Sequence, residues 1–122
     1  MATIMVVDDE PMVRNLLSQF LTLRGYRVCP AKDGPDALSL LKQEHPQLVI
    51  LDVYMPGMNG VDVLRQLRAN DYKGAVIALS ASQDEEMLQE MLELGSVDIM
   101  GKPVDLERLA MMVEVSLVMK NE

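Results

Sequence analysis

Cysteine, histidine and basic charge are all scarce in this sequence, and each scarcity removes a class of function. The 122 residues include one cysteine, Cys29, and one histidine, His45. A lone thiol cannot close an internal disulfide, and Cys29, set between Val28 and Pro30, reads as a partly buried structural thiol. With so few Cys and His there is no ligand cluster for zinc or copper. His45 stands before Pro46 with no partner ligand at useful spacing and reads as a solvated loop residue. Lys and Arg number 11 against 19 Asp and Glu, a formal net charge of −8. Binding a phosphate backbone needs clustered cations, so direct nucleic-acid contact is not expected. No apolar run approaches the roughly 18 residues of a membrane span. The start, MATIMVVDDE, lacks the basic flank and long apolar core of a signal peptide. The expectation is a soluble cytoplasmic domain, 1–122, with no membrane partner and no effector domain in this chain.

What the sequence does hold is short apolar runs separated by helical patterns. Thr3 to Val7, Leu48 to Leu51 and Ala75 to Leu79 lack alternation and are rich in Val, Ile and Leu, which suits strands covered on both faces. Arg27 to Ala31 contains Pro30 and Val97 to Met100 contains Asp98, so both read as edge strands. Pro11 suits a first helical turn and Gly25 is placed to close that helix. Pro35 opens a second helix that stops near His45 and Pro46. Gly60 precedes a third, Ser82 and Glu85 have capping-box spacing for a fourth closed by Gly95, and Asp105 caps a fifth. The acidic run Asp84, Glu85 and Glu86 reads as favourable charge in a first helical turn. Strand and helix alternate five times, which implies an open α/β sheet with helices on both faces. Sites in such sheets lie beyond the carboxyl ends of the strands, where strand order reverses.

At those ends stand Asp8 and Asp9 after the first run, Asp52 after the third and Ser80 after the fourth, while the fifth leads through Gly101 to Lys102 and Pro103. One acid at a strand end is ordinarily a turn or cap residue. Three acids, a hydroxyl and an amine converging on one edge are another matter. Clustered carboxylates repel unless something positive intervenes, and a hard divalent cation with oxygen ligands is the natural partner.

The runs MVVDDEP, LVILDVYMPGMNG, ALSAS and GKP together resemble the response-regulator receiver family across essentially the whole chain. The resemblance implies a flavodoxin-like five-stranded parallel sheet of order 2-1-3-4-5. It implies that Asp52 accepts a phosphoryl group from a histidine kinase or histidine phosphotransfer protein. It further implies that Asp8, Asp9, Asp52 and the backbone carbonyl of Tyr54 hold Mg²⁺, with Mn²⁺ as a substitute, and that Ser80 and Lys102 contact the phosphoryl oxygens. The bond before Pro103 is expected to be cis, aiming Lys102 into the site. Tyr54 and Ser82 would flank the water that hydrolyses the acyl phosphate.

Two features depart from the pattern. Where typical receivers carry Tyr or Phe three residues before the lysine, this chain has Ile99, so the usual aromatic readout is in doubt. The fifth helix carries a core stripe of Leu106, Leu109, Ala110, Val113 and Leu117, and a second apolar stripe of Met111, Met112, Val115, Val118 and Met119. With Met87 and Met91 of the fourth helix and the last strand, that second stripe is expected to form a homodimer or partner interface.

Two rival readings remain. A haloacid-dehalogenase-type phosphatase also forms an aspartyl phosphate, but it wants an Asp two residues after the nucleophile, where this chain has Tyr54. A receiver-like scaffold that is never phosphorylated usually loses an acid or the lysine, and none is lost here.

Overall fold

The computed structural model describes residues 1–81, 85–95 and 97–120. Ser82 and Asp84, the expected cap and the start of the acidic run, lie outside the described residues. Strand and helix alternate in the order β1 (Thr3–Val7), α1 (Pro11–Leu23), β2 (Arg27–Ala31), α2 (Gly34–Glu44), β3 (Leu48–Asp52), α3 (Gly60–Ala69), β4 (Ala75–Ser80), α4 (Glu85–Glu93), β5 (Val97–Gly101) and α5 (Leu106–Lys120). The strands pair in parallel in the order β2-β1-β3-β4-β5. From β1 the chain therefore turns to one side for β2 and crosses to the other for β3, which puts the reversal of strand order at the ends of β1 and β3.

The apolar runs behave as buried strands should. Every residue of β1, β3 and β4 is buried. Because side chains alternate along a strand, each run feeds two cores. Met5, Val7, Val49, Leu51, Val76 and Ala78 pack beneath α2, α3 and α4. Ile4, Val6, Leu48, Ile50, Ile77 and Leu79 pack against α1 and α5. The strands with Pro30 and Asp98 lie at the two edges, where a missing ladder donor or a carboxylate is tolerated. Cys29 is 7% exposed, and its Sγ lies 3.8 Å from the Ile4 carbonyl.

Helix ends follow local chemistry. Asp33 accepts from the Asp36 N–H and caps α2, and Asn59 accepts from the Asp62 N–H and caps α3. Gly60 is thus the first residue of α3 rather than the one before it. Asp105 accepts from the Arg108 N–H at the start of α5. Gly25, with φ +96°, follows the end of α1. Among the described residues, no helix is long and apolar enough to cross a membrane.

The expected methionine-rich surface needs correction. Met91 is fully buried in the core beneath α4, and Met87 and Met112 are half-buried against the two cores. Among the described residues of α4, Met91 is the one that is completely buried; it holds the helix to the sheet and so cannot also face a partner. The outward stripe of α5 is Met111, Val115, Val118 and Met119, each more than half exposed.

Candidate functional site

Parallel strands all end at the same edge, so the residues closing β1, β3, β4 and β5 become neighbours without being neighbours in sequence. Asp8 follows β1, Asp52 and Ser80 are the last residues of β3 and β4, and Lys102 follows β5. Asp8, Asp52 and Ser80 are buried, and Asp9 is half-buried beside them. Ser80 pairs with Gly101 in the ladder, and its carbonyl accepts from the Lys102 N–H at 2.9 Å, which starts the lysine on its way across β4. The Lys102–Pro103 peptide bond is cis.

The lysine ends between two acids. Its Nζ lies 3.2 Å from Asp52 Oδ1 and 3.5 Å from Asp8 Oδ2. Burial pushes the Asp52 carboxyl up to about 6, the Asp8 charge adds to that, and Lys102 offsets only part. Burial by itself would lower the Lys102 ammonium, but Asp52 and Asp8 outweigh it and raise its pKa. One ammonium therefore does not neutralise this edge.

Further carboxylates lie close by. Oxygens of Asp8, Asp9 and Glu10 all fall within 4.8 Å of one another. An all-oxygen donor set with uncompensated negative charge fits a hard divalent cation such as Mg²⁺, and it offers nothing to a thiophilic metal. Glu10 lies outside the set expected from the sequence, although it completes the acidic triplet visible there.

The remaining expected residues are distributed unevenly. Tyr54 is exposed, and its N–H donates to Asp52 Oδ1 at 3.4 Å. Ile99 of β5 pairs with Ala78 of β4 and packs half-buried against the core that holds Met91. Ser82, expected beside the site, falls outside the described residues.

Two further residues support the site in ways the sequence does not show. Arg14 Nη1 donates to the Asp8 backbone carbonyl at 2.8 Å. Gly60 approaches the chain just after Asp52, where a Cβ would stand 2.7 Å from Val53 Cα and 2.8 Å from the Asp52 carbonyl oxygen. Arg14 has no motif-like signal, and Gly60, which closes the run LVILDVYMPGMNG, shows in the sequence only as a helix-start residue, because each acts by a contact between separate elements. A surface cavity of about 360 Å³ lined by Leu41, His45, Pro46 and Tyr72 opens at the opposite end of the sheet and shares none of these side chains.

Comparison with known proteins agrees with this geometry. The profile of the response regulator receiver domain matches residues 4–114. The probable C4-dicarboxylate response regulator DctR of Priestia megaterium is 39% identical over 114 residues, covering 92% of this chain and 50% of that protein. Sporulation initiation phosphotransferase F of Bacillus subtilis is 34% identical over 118 residues, covering 97% of this chain and 95% of that one. The solved structure of chemotaxis protein CheY4 of Vibrio cholerae superposes with a TM-score of 0.90 at 30% identity, covering 95% of this chain and 98% of that one. The chain spans about half the length of DctR, so likeness to such relatives speaks for the domain they share. A profile match over most of the sequence, on the strand order and strand-end chemistry described above, means that the chain belongs to the response regulator receiver domain family.

Proposed function

We propose that this domain is a phosphoryl-accepting signalling switch, with Asp52 as the acceptor and a histidine kinase or histidine phosphotransfer protein as the donor. The observation that carries the reading is the buried Asp52 carboxylate held 3.2 Å from Lys102 at the switch point of the sheet. A receiver domain is a signalling module and not a turnover enzyme.

The chemistry is in-line displacement. An Asp52 oxygen forms a bond to phosphorus, the bond from phosphorus to the donor imidazole nitrogen breaks, and the imidazole keeps the electron pair. Such transfers depend on positioning and charge stabilisation. The Tyr54 N–H and Lys102 Nζ both contact Asp52 Oδ1, which leaves Oδ2 as the candidate nucleophile. Lys102 would move from the acids to a phosphoryl oxygen, and Ser80, at the end of the neighbouring strand, would donate to another. Asp8, Asp9, Asp52 and the Tyr54 carbonyl would hold a divalent cation, which when bound would supply the neutralisation an anionic carboxylate needs to approach an anionic phosphoryl group. Water attacking the acyl phosphate in line resets the switch.

The output surface is proposed to lie around α4, β5 and α5, with Met111, Val115, Val118 and Met119 as the apolar face offered to a partner or a second copy. Ile99, without a ring or hydroxyl, is proposed to couple by packing alone.

Incubation with acetyl phosphate or phosphoramidate and Mg²⁺, followed by intact mass measurement, tests the acceptor assignment. The expected result is a gain of one phosphoryl group that requires the metal and disappears in Asp52→Asn. No gain in the parent protein would overturn the reading.

A further inference from the structure

Three carboxylates in consecutive residues do not gather unaided. Asp8, Asp9 and Glu10 hold oxygens within 4.8 Å of one another, where like charges repel. One residue contacts this turn on both sides of Asp9. Arg14 Nη1 donates to the Asp8 carbonyl at 2.8 Å, and the Arg14 backbone N–H donates to the Glu10 carbonyl at 3.0 Å. The second bond is the ordinary first turn of α1, but the first is made by the side chain alone and reaches back out of the helix.

We infer that Arg14 is a positioning residue for the metal-binding turn. Its guanidinium ties the end of β1 to α1, so that Asp8 and Asp9 are assembled before a cation arrives. The inference rests on the reading of these acids as cation ligands. The rest of Asp8 is held as firmly: its N–H donates to the Ala31 carbonyl, its Oδ1 accepts from the Glu10 N–H at 2.9 Å, and Oδ2 faces Lys102. Arg14 completes that set by occupying the backbone oxygen. A half-buried guanidinium with a rigid fork suits the task better than a lysine, because less freedom is lost per hydrogen bond formed.

The sign of the effect separates positioning from charge. Arg14 is a cation near a cation site, so if it acted only through charge its removal would tighten metal binding. If it holds the turn, its removal weakens binding even though a repelling charge has gone. Partners that orient ligands from behind are typically worth about 10- to 100-fold in metal affinity.

The test is Mn²⁺ binding followed by electron paramagnetic resonance, with Mg²⁺ as competitor, for the parent chain, Arg14→Met and Arg14→Lys, alongside thermal melts in EDTA. The expected result is affinity weaker by about tenfold in Arg14→Met, with the melt little changed and partial recovery in Arg14→Lys. Affinity in Arg14→Met equal to or tighter than that of the parent would overturn the inference, and so would full loss in Arg14→Lys that follows a lowered melting point. A parent chain that binds no Mn²⁺ would instead overturn the metal-dependent reading beneath it.

Discussion

Lys102 reaches past β4 to stand 3.2 Å from Asp52, pairing an ammonium from beyond β5 with a carboxylate at the end of β3. Both side chains are largely sequestered, at 17% and 4% exposure. Removing one partner of a buried pair leaves the other charge uncompensated, and here Asp8 adds a second negative charge. Lys102→Met is therefore expected to lose about 1–3 kcal/mol of stability in EDTA at about pH 7, as read by urea unfolding. The loss should shrink toward about pH 5 as the Asp52 carboxyl, raised to about 6, takes up its proton. An equal loss at both pH values would mean that the lysine contributes packing and not charge.

The Asp52 carboxyl, raised from 3.8 to about 6, binds its proton more tightly in the folded chain than in the unfolded one. Its contribution to stability is fully present below pH 3.8 and is lost as pH climbs through about 6. Asp52→Asn removes that ionisation, and in EDTA at about pH 7 it should gain about 1–3 kcal/mol. The variant's stability curve should also be flatter than the parent's over that pH window. A less stable asparagine variant would count against the geometry described for the acid edge.

Gly60 faces backbone atoms that cannot step aside, with Val53 Cα and the Asp52 carbonyl both within 2.8 Å of the point that an added Cβ would occupy. Overpacking of this kind typically costs about 1–3 kcal/mol. Gly60→Ala is expected to show that loss in denaturant melts together with slower uptake of phosphoryl from acetyl phosphate, because relief would shift the peptide that carries Asp52. Unchanged uptake would separate this contact from the site.

The two kinds of methionine should respond differently. Met91 is fully buried, and its truncation to alanine is expected to cost about 2–4 kcal/mol. Met119→Ala, at a position 66% exposed, should stay within about 0.5 kcal/mol. Paired urea curves decide this, and a neutral Met91→Ala would restore that residue as a candidate surface contact.

Cys29 should be a slow thiol. Burial pushes it from 9.0 up to about 11, so the neutral form is favoured in the folded chain. At about pH 8 its modification by a disulfide reagent should run about 100-fold slower in native protein than in urea. Stability should fall as pH rises from 9.0 to about 11, and Cys29→Ala should remove that part of the slope. Rapid native labelling would mean that the β2 edge opens readily.

Element order and the acid-bearing strand ends are legible in the sequence because they depend on local rules. Runs of Val, Ile and Leu without alternation mark strands covered on both faces, and Pro30 and Asp98 mark edges. Asp105 is recognisable as a cap, whereas Asp33 and Asn59 show themselves as caps only once their hydrogen bonds are seen. The acids are visible for the same local reason: a parallel sheet sends every strand end to one edge, so Asp8, Asp52 and Ser80 can be grouped without coordinates.

Contacts between elements are decided by tertiary structure alone. Helical spacing marks both Met91 and Met119 as apolar, but only the packing of α4 and α5 on the sheet buries one and exposes the other. Lys102 meets Asp52 and Asp8 because three non-sequential strands converge, Arg14 meets the Asp8 carbonyl because α1 folds back on its own entry turn, and Gly60 is needed because α3 begins against the end of β3. Periodicity records which face of an element is apolar. It carries no record of the distance at which two such elements come to rest, and at this site those distances set the charges.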